Sequence, residues 1–242
     1  MNNFDYSIYY GRFHNETEEH ATIMANWLQT VIGPHLPKDK QSSIIDIGCG
    51  YGFALRAMRN LGYQSLQGLE MSPQQAERCR KAGFEVAVSD STVEWLGRNR
   101  ESFAFAVVLD VLEHVPVEVQ INFMRAIYES LKPGGSVVLT VPNANAILNA
   151  RWRYNDYTHY SSFTEHSLYF VLKNAGFKTI DLDASKGLGK MPKRLWRKSS
   201  RDALRKWMVR WCWFQVFKAE LPWERLQDIS FELNLKAVAT KA

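Results

Sequence analysis

The chain has 242 residues, of which 46% are hydrophobic and 23% charged, so it can bury the core of one large domain and general disorder is excluded. No stretch reaches the roughly 18 consecutive apolar residues of a membrane-spanning helix, and the first residues lack the pattern of a signal peptide. Three scattered cysteines, Cys49, Cys79 and Cys212, exclude a disulfide scaffold and predict a reducing, cytoplasmic location.

The positive charge is concentrated in one segment. The chain has a formal net charge of +5, yet the segment from Lys186 to Arg210 holds ten basic residues and one acid, a net +9. The rest of the chain therefore carries −4. A negatively charged partner is expected at one place and not over the whole surface.

Predicted strands and helices alternate along most of the chain. An amphipathic helix over 16–32 comes first, and Thr164 and Gly176 are the expected caps of the last helix of the alternating series. This order predicts an α/β fold with a mostly parallel sheet and helices on both faces. The alternation at 231–242 predicts a final, antiparallel strand. Strands are predicted at 43–48, 65–71, 84–90, 103–110, 135–142 and 177–184, and helices at 53–61, 73–82, 91–99, 117–131 and 165–175.

A glycine-rich loop follows the first predicted strand. Gly48, Gly50 and Gly52 alternate with Cys49 and Tyr51 in the sequence "IIDIGCGYGF". The loop has no Lys-Ser/Thr pair for gripping phosphate, and Phe53 stands where a dinucleotide motif needs its third glycine. Because it lies at the carboxyl end of a strand beside the switch point of the sheet, it is predicted to bind a ligand.

Acidic residues end the next three strands. Glu70 is placed to accept the hydroxyls of a ribose, Asp90 to meet the amine of an adenine, and Asp110 ends the fourth strand. No basic residue for a phosphate accompanies them. The pattern indicates a nucleoside ligand with an amino acid or another uncharged tail.

Five ordered motifs, "IIDIGCGYG", "LQGLEMS", "VSDS", "VVLDVLEHVP" and "LKPGGSVVLTVPN", resemble those of class I S-adenosylmethionine-dependent methyltransferases. The resemblance covers residues 41–184. It implies a Rossmann-like, seven-stranded sheet with an antiparallel last strand, and S-adenosylmethionine as the cofactor. Cys49 itself is interpreted as a small filler and not as a nucleophile. The implied cofactor-binding residues are Asp46, Gly48, Cys49, Gly50, Gly52, Glu70, Met71, Asp90, Ser91, Leu109 and Asp110.

Two places offer a base that could take a proton from a hydroxyl acceptor. One is "DVLEHV", where Asp110, Glu113 and His114 resemble an element of ubiquinone-pathway O-methyltransferases that can serve a divalent metal. A metal such as magnesium is considered but not expected, and His114 is a second candidate base. The preferred base is His159, oriented by Asp156.

His159 lies in a long segment after the fifth strand that is predicted to lack secondary structure, which usually indicates function. Its aromatic residues suit a sugar or another flat acceptor. The segment, with "YYGRFHNETEEH" near the start, resembles methyltransferases of bacterial surface-polysaccharide pathways. That resemblance implies O-methylation of a sugar hydroxyl on a glycan or lipid-linked saccharide. The alternatives are a prenylated quinone or phenol, RNA, and a cofactor-binding adaptor without chemistry. The aromatic residues are Trp152, Tyr154, Tyr157 and Tyr160.

The basic segment is predicted to continue as an amphipathic helix over 201–218. One side would carry Leu204, Trp207, Trp211 and Phe214, and the other Arg201, Arg205, Lys206 and Arg210. Such a helix is typical of an anionic membrane surface, so residues 190–218 are expected to make a peripheral contact at the inner face of the membrane. Packing on its own domain or on a dimer partner ranks second and nucleic acid third. The oligomeric state stays open.

The whole chain is predicted to be one methyltransferase domain with four parts. These are an N-terminal cap (1–40), a cofactor-binding core (41–184), the basic insertion (185–228) and the final strand (229–242).

Overall fold

The structure is a computed structural model that describes residues 17–183 and 198–242. The motif "YYGRFHNETEEH" therefore lies largely outside the described residues, as do the five basic residues from Lys186 to Arg197. No helix in the described ranges combines the length and the apolar character needed to cross a membrane.

The described residues contain a seven-stranded sheet in the order β3-β2-β1-β4-β5-β7-β6. The pairs β1–β2, β1–β4, β2–β3 and β4–β5 are parallel, whereas β7 is antiparallel to both β5 and β6. The fold class and the antiparallel last strand are confirmed. The strands are β1 (Ile44–Ile47), β2 (Leu66–Glu70), β3 (Glu85–Val88), β4 (Phe103–Leu109), β5 (Leu131–Pro142), β6 (Thr179–Asp183) and β7 (Asn234–Thr240).

The helices among the described residues begin and end close to the predicted boundaries. Thr164 caps the seventh helix, with Ser167 completing a capping box, and Gly176 ends it at φ 117°. Both predicted caps are confirmed. The helices are α1 (Glu18–Ile32), α2 (Phe53–Asn60), α3 (Pro73–Lys81), α4 (Thr92–Arg98), α5 (Gln120–Ser130), α6 (Asn149–Asn155), α7 (Glu165–Ala175) and α8 (Lys198–Glu220).

Two apolar clusters cover the two faces of the sheet. One joins residues of α5 and α7 to inward-facing residues of the central strands and β7. The other joins α1, α2 and α3 to the opposite side of the same strands, where Ala25, Leu28 and Ile32 of α1 are buried. The first turn of α1 reaches the start of α2 through an ion pair between Glu18 and Arg56. The cap helix therefore packs on a face of the sheet and begins near the glycine loop.

The long segment after β5 differs from the prediction of an irregular loop, because it contains the short helix α6. Buried polar side chains tie the segment to the chain before β7. Asn143 donates hydrogen bonds to the carbonyls of Ser230 and Glu232, and Glu165 accepts from the amide of Ser230. These long-range bonds supply partners that the local sequence does not reveal.

The start of β5 also lies earlier than predicted. The sequence predicts a helix that ends at 131 and a strand that begins only at 135, yet β5 begins at Leu131. The amide of Gly134 donates to the carbonyl of Lys241, and the amide of Lys241 donates to the carbonyl of Gly135. Lys241, directly after β7, thus pairs with Gly134 and Gly135 and extends the contact between β5 and the C-terminal strand.

Helix α8 is longer than predicted, and its two faces are assigned differently. Arg210, predicted on the basic side, makes a two-pronged ion pair with Glu232, and the indole of Trp213 donates to the carbonyl of Asn145 at 2.7 Å. Trp211, predicted on the apolar side together with Phe214, is 45% exposed. The packing side instead presents Trp213, Phe214 and Phe217 to Leu226, Ile229 and Phe231. Self-packing therefore describes one face of this helix.

Candidate active site

The glycine loop joins β1 to α2 at the point where β1 pairs with β2 on one side and β4 on the other. Gly48, Gly50 and Gly52 have φ angles of 72°, 51° and 78°, a region that favours glycine. A Cβ at Gly48 would lie 2.6 Å from Val111 Cγ2, and a Cβ at Gly52 would lie 2.6 Å from Cys79 Sγ. Only glycines therefore permit this backbone path at the switch point of the sheet.

Glu70 ends β2 directly beside this loop. Its carboxylate accepts hydrogen bonds from the amides of Gly50 and Ser72, each at 2.9 Å, and the side chain is buried. A carboxylate offers about four lone-pair sites, so it still has capacity for a diol. Glu70, the residue predicted to bind the ribose, is thus hydrogen-bonded to the loop whose glycines are predicted to hold the rest of the cofactor.

Two other predicted residues of the loop region are buried. Burial, with the charge of Glu70 adding to it, raises the pKa of Asp46 to about 7. A hydrogen bond to Cys79, followed by burial, raises the pKa of the Cys49 thiol. A thiol held in this way is a poor nucleophile, which agrees with the interpretation of Cys49 as a filler.

The remaining predicted cofactor residues lie along the same edge of the sheet. Met71 and Asp90 are exposed, and Leu109 is half-buried. The hydroxyl of Ser91 accepts from the amide of Glu94 and so caps α4. The carboxyl ends of β1, β2, β3 and β4 meet here, as parallel pairing requires, but the specific contact of each residue with a cofactor stays a prediction.

Asp110 follows β4 in an unusual backbone conformation, with φ at 53°. Its Oδ1 accepts from the hydroxyl of Thr140 and from the amide group of Asn234, both at 2.9 Å. Such strain is typical of functional sites. These bonds connect the end of β4 to β5 and β7.

A chain of hydrogen bonds connects Asp156 to His114 through Thr158. The Thr158 hydroxyl donates to Asp156 Oδ1, with the two oxygens 2.6 Å apart. The hydroxyl oxygen of Thr158 also lies 2.8 Å from His114 Nδ1. A hydroxyl has one proton, and the carboxylate only accepts. The Thr158 oxygen therefore accepts from His114 Nδ1–H, so neutral His114 carries its lone pair on Nε2.

His159 lies against His114, with their ring centroids 4.6 Å apart. Its Nε2 is 4.0 Å from Asp156 Oδ2, which is too far for a hydrogen bond. The structure thus brings the predicted pair of Asp156 and His159 together, but directs the carboxylate's hydrogen bonds to Thr158. Burial lowers the pKa of His159 and lowers that of His114 to about 4, where the nearby His159 acts in the same direction.

Glu113 completes the cluster. Its side chain is buried, and Oε2 makes no hydrogen bond to any residue in the described ranges. Burial, followed by the charge of Asp110, raises the pKa of Glu113 well above its ordinary value. The carbonyl of Glu113 accepts from the amide of Tyr160 at 2.7 Å. This bond holds the segment after β5 against the turn after β4, so the two predicted places for a base form one site.

The donor atoms of Glu113, His114 and His159 lie within 4.8 Å of one another. The sequence-based metal set contained Asp110 in place of His159, but Asp110 is not a member of this group. One carboxylate and two imidazoles form a donor set that suits zinc or another transition metal better than magnesium. The residues therefore fit such an ion.

Exposed aromatic side chains lie in the same segment of the chain as Asp156 and His159. Tyr157 is 90% exposed and Tyr154 77%, whereas Trp152 and Tyr160 are about half exposed. Their exposed rings are flat surfaces on which an acceptor could pack.

Thr158 is the functional candidate that the sequence analysis missed. Asp156 also accepts from the amide of Thr158 at 2.8 Å, which is the local turn that an Asp favours two residues ahead of its partner. The spacing "DYT" therefore indicated a bond between these two residues. The contact with His114, 44 positions away in the sequence, had no local signal.

The topology, the glycine loop and the acid at the end of β2 define the class of the protein, a class I S-adenosylmethionine-dependent methyltransferase. Comparison with known proteins agrees. A family model described as a methyltransferase domain matches residues 18–182, more than half of the chain. The chain belongs to this methyltransferase family.

Solved structures share the fold. An S-adenosylmethionine-dependent methyltransferase from Archaeoglobus fulgidus aligns with a TM-score of 0.69 at 19% identity. The alignment covers 98% of this chain and 100% of the Archaeoglobus chain. Phosphoethanolamine N-methyltransferase 2 from Haemonchus contortus, solved with S-adenosylmethionine, aligns with a TM-score of 0.60 at 15% identity. This alignment covers 99% of this chain and 60% of the Haemonchus chain. At these identities the likeness concerns the fold alone.

A curated relative is similar in sequence over part of the chain. The ubiquinone biosynthesis O-methyltransferase of Ruegeria pomeroyi is 29% identical over 153 residues, which is 57% of this chain and 60% of the relative. The chain thus spans about 60% of the length of the curated relatives it matches.

Proposed function

We propose that the protein transfers the methyl group of S-adenosylmethionine to a hydroxyl of its acceptor, and that His114 is the base that takes the proton. The observation that carries this proposal is the hydrogen-bonded chain Asp156–Thr158–His114. It holds the imidazole in the tautomer whose Nε2 accepts a proton. An acceptor amine would need far less help of this kind.

The position of His114 supports the same role. It lies in the turn Leu112–His114, next to Val111, whose side chain faces Gly48 of the glycine loop. The base is therefore close to the loop that is predicted to hold the methionine part of the cofactor. Once His114 is protonated, the charge of Asp156 stabilises the imidazolium across Thr158.

A phenol or quinol is the acceptor class that we propose. Burial lowers the pKa of His114, so it is a weaker base than a free imidazole, and a weaker base is better served by a more acidic hydroxyl. Phenols have pKa values of about 10, whereas sugar hydroxyls are far weaker acids. The name of the relatives, ubiquinone biosynthesis O-methyltransferase, supports the same acceptor class.

A saccharide remains the second candidate. The exposed rings of Trp152, Tyr154, Tyr157 and Tyr160 favour it, because aromatic planes pack on the apolar faces of sugars. A prenylated acceptor would also use these rings. The aromatic rings therefore do not distinguish the two acceptors. We rank the phenol above the saccharide because a weak base favours the more acidic hydroxyl.

A metal ion is the other role that the same atoms could serve. Bound by Glu113, His114 and His159, it would act as a Lewis acid on the acceptor oxygen. It would also occupy the Nε2 lone pair, so the two roles of His114 exclude each other. The base proposal expects unchanged turnover after dialysis against a chelator; loss on chelation and recovery with zinc or manganese would contradict it.

The direct test is release of S-adenosylhomocysteine with a prenylated dihydroxybenzoate and, separately, with a lipid-linked saccharide. We expect turnover with the phenol. His114→Gln should lower kcat by about 100-fold or more, the usual contribution of a positioned base, while calorimetry finds the affinity for S-adenosylmethionine unchanged. Thr158→Val should lower kcat about tenfold and leave that affinity unchanged.

The variant His166→Gln is the matched control, because His166 is an exposed histidine 3.9 Å from Glu224 and away from the cluster. It should retain full turnover. Full turnover in His114→Gln, with loss in His159→Gln, would return the role of base to His159. Turnover with the saccharide alone would overturn the phenol as acceptor, and no product with any acceptor would favour an adaptor.

A further inference from the structure

The outward face of α8 carries an ordered stripe that the methyltransferase site does not use. Six of its residues follow one another at spacings of three or four, and all are exposed. Such spacing places them along a single line of the helix. In chain order they are Arg201, Arg205, Met208, Cys212, Val216 and Ala219.

The stripe changes character along its length. Its first half is basic, and Lys198 extends it by one further exposed residue. Its second half is apolar: Met208 is 54% exposed and Val216 45%, with Val209 at 50% beside them. Apolar side chains usually turn inward on a helix that packs against its own domain. Here they turn outward, while the opposite face is already packed.

The packing of the opposite face fixes this orientation. Phe214 and Phe217 lie against Leu226, Ile229 and Phe231, and Arg210 is ion-paired with Glu232. The helix therefore directs its outer stripe away from the domain and does not need to reorient in order to expose it.

Charge complementarity identifies the occupant. Helix α8 has six basic and two acidic residues, a net +4, in a chain whose part outside residues 186–210 carries −4. Trp211 is half exposed on the side of the helix, and Trp223 just beyond its end is 74% exposed. Cationic and aliphatic residues on one helix, with exposed tryptophans on it and beside its end, are features of helices that lie at a membrane surface.

We infer that the outer face of α8 docks on an anionic lipid bilayer. Met208, Val209 and Val216 enter the boundary between headgroups and acyl chains, and Arg201 and Arg205 meet lipid phosphates. This arrangement places the methyltransferase domain on the membrane from one side. The inference is independent of the proposed acceptor and base.

The test is co-sedimentation of the purified full-length protein with vesicles of phosphatidylcholine containing 30% phosphatidylglycerol. We expect binding that weakens as salt rises and that is absent on pure phosphatidylcholine. Each basic residue near an anionic surface contributes about fivefold in partitioning, so Arg201→Gln with Arg205→Gln should weaken binding by roughly 25-fold. Met208→Ser with Val216→Ser should weaken it by at least tenfold.

The control is Lys81→Gln with Arg98→Gln, because both side chains are exposed cations on other helices. It should bind like the unchanged protein, and all variants should bind S-adenosylmethionine equally in calorimetry. Failure to bind the anionic vesicles would overturn the inference, and so would equal binding by the stripe variants. A dimer in solution that Met208→Ser with Val216→Ser dissociates would assign the face to a second copy of the chain instead.

Discussion

The single hydroxyl proton of Thr158 decides which tautomer the neighbouring His114 ring adopts. Because that proton goes to Asp156, the oxygen must accept from His114. Replacing Thr158 by valine keeps the shape of the side chain and removes both hydrogen bonds. The variant Thr158→Val therefore changes the orientation of the His114 ring without changing the packing around it. Lower turnover in this variant would show that Thr158 positions the base and does not merely fill space.

Asp46 gives a prediction about pH. Its pKa is raised from 3.8 to about 7, so between these values the folded chain keeps a proton that the unfolded chain releases. Stability from this group is fully present below about pH 4 and is lost as the pH rises through 7. At 1.36 kcal/mol per pKa unit, the loss is about 4 kcal/mol.

The measurement is urea unfolding of the unchanged protein and of Asp46→Asn between pH 4 and 8. The variant should gain stability relative to the unchanged protein as the pH rises, because it has no carboxyl group to ionise there. Asp90→Asn removes an exposed carboxylate and is the matched control, for which we expect no such gain. Parallel pH curves for the unchanged protein and Asp46→Asn would contradict the prediction.

At the scale of elements, the start of α2 depends on close approach between helices. A Cβ at Gly52 would meet Cys79 Sγ of α3 at 2.6 Å, whereas a Cβ at Gly62 would meet nothing within 4 Å. Both glycines have positive φ, 78° and 91°. Gly52→Ala and Gly62→Ala therefore share the backbone strain and differ in the clash.

We expect Gly62→Ala to lower the free energy of unfolding by about 1–2 kcal/mol, the cost of a left-handed alanine. Gly52→Ala should lower it by about 2–5 kcal/mol, because overpacking adds about 1–3 kcal/mol. Urea unfolding followed by tryptophan fluorescence measures both. Equal losses would mean that α3 moves away from the added methyl group at little cost.

The sequence of helix α8 does not reveal which side of the helix packs against the domain. The amphipathic pattern predicted the helix and its approximate length. The apolar pattern alone grouped Trp211 with Phe214 on one side of the helix. A helix rich in both tryptophan and arginine can be divided into two sides in several ways, and the pattern does not choose between them. The packed side is set by partners distant in the chain, Asn145 and Glu232.

For the whole molecule, the described site predicts that the cofactor stabilises the fold. At a concentration 100 times its Kd, S-adenosylmethionine should add about 2.7 kcal/mol to the free energy of unfolding. For a chain of this size that raises Tm by about 5–11 °C. Differential scanning calorimetry with and without the cofactor is the measurement.

Glu70→Gln connects this effect to the acid at the end of β2. Hydrogen bonds to a charged group contribute about 1.5–3 kcal/mol, so the variant should bind the cofactor about 10–100 times more weakly. At a 100-fold loss, the same concentration would raise Tm by only about 1 °C. Glu94→Gln, an exposed acid on α4, should keep the full increase; an unchanged shift in Glu70→Gln would contradict the ribose-binding role.

The sequence by itself determined the order of strands and helices, the caps of α7, the antiparallel last strand and the place of the cofactor loop. These follow from local periodicity, from glycines that need positive φ, and from parallel pairing, which brings the carboxyl ends of strands together. The hydrogen-bonded chain from Asp156 to His114 and the outward stripe of α8 were decided by the tertiary structure alone. Each depends on side chains that are far apart in sequence, and folding alone sets their distances and directions.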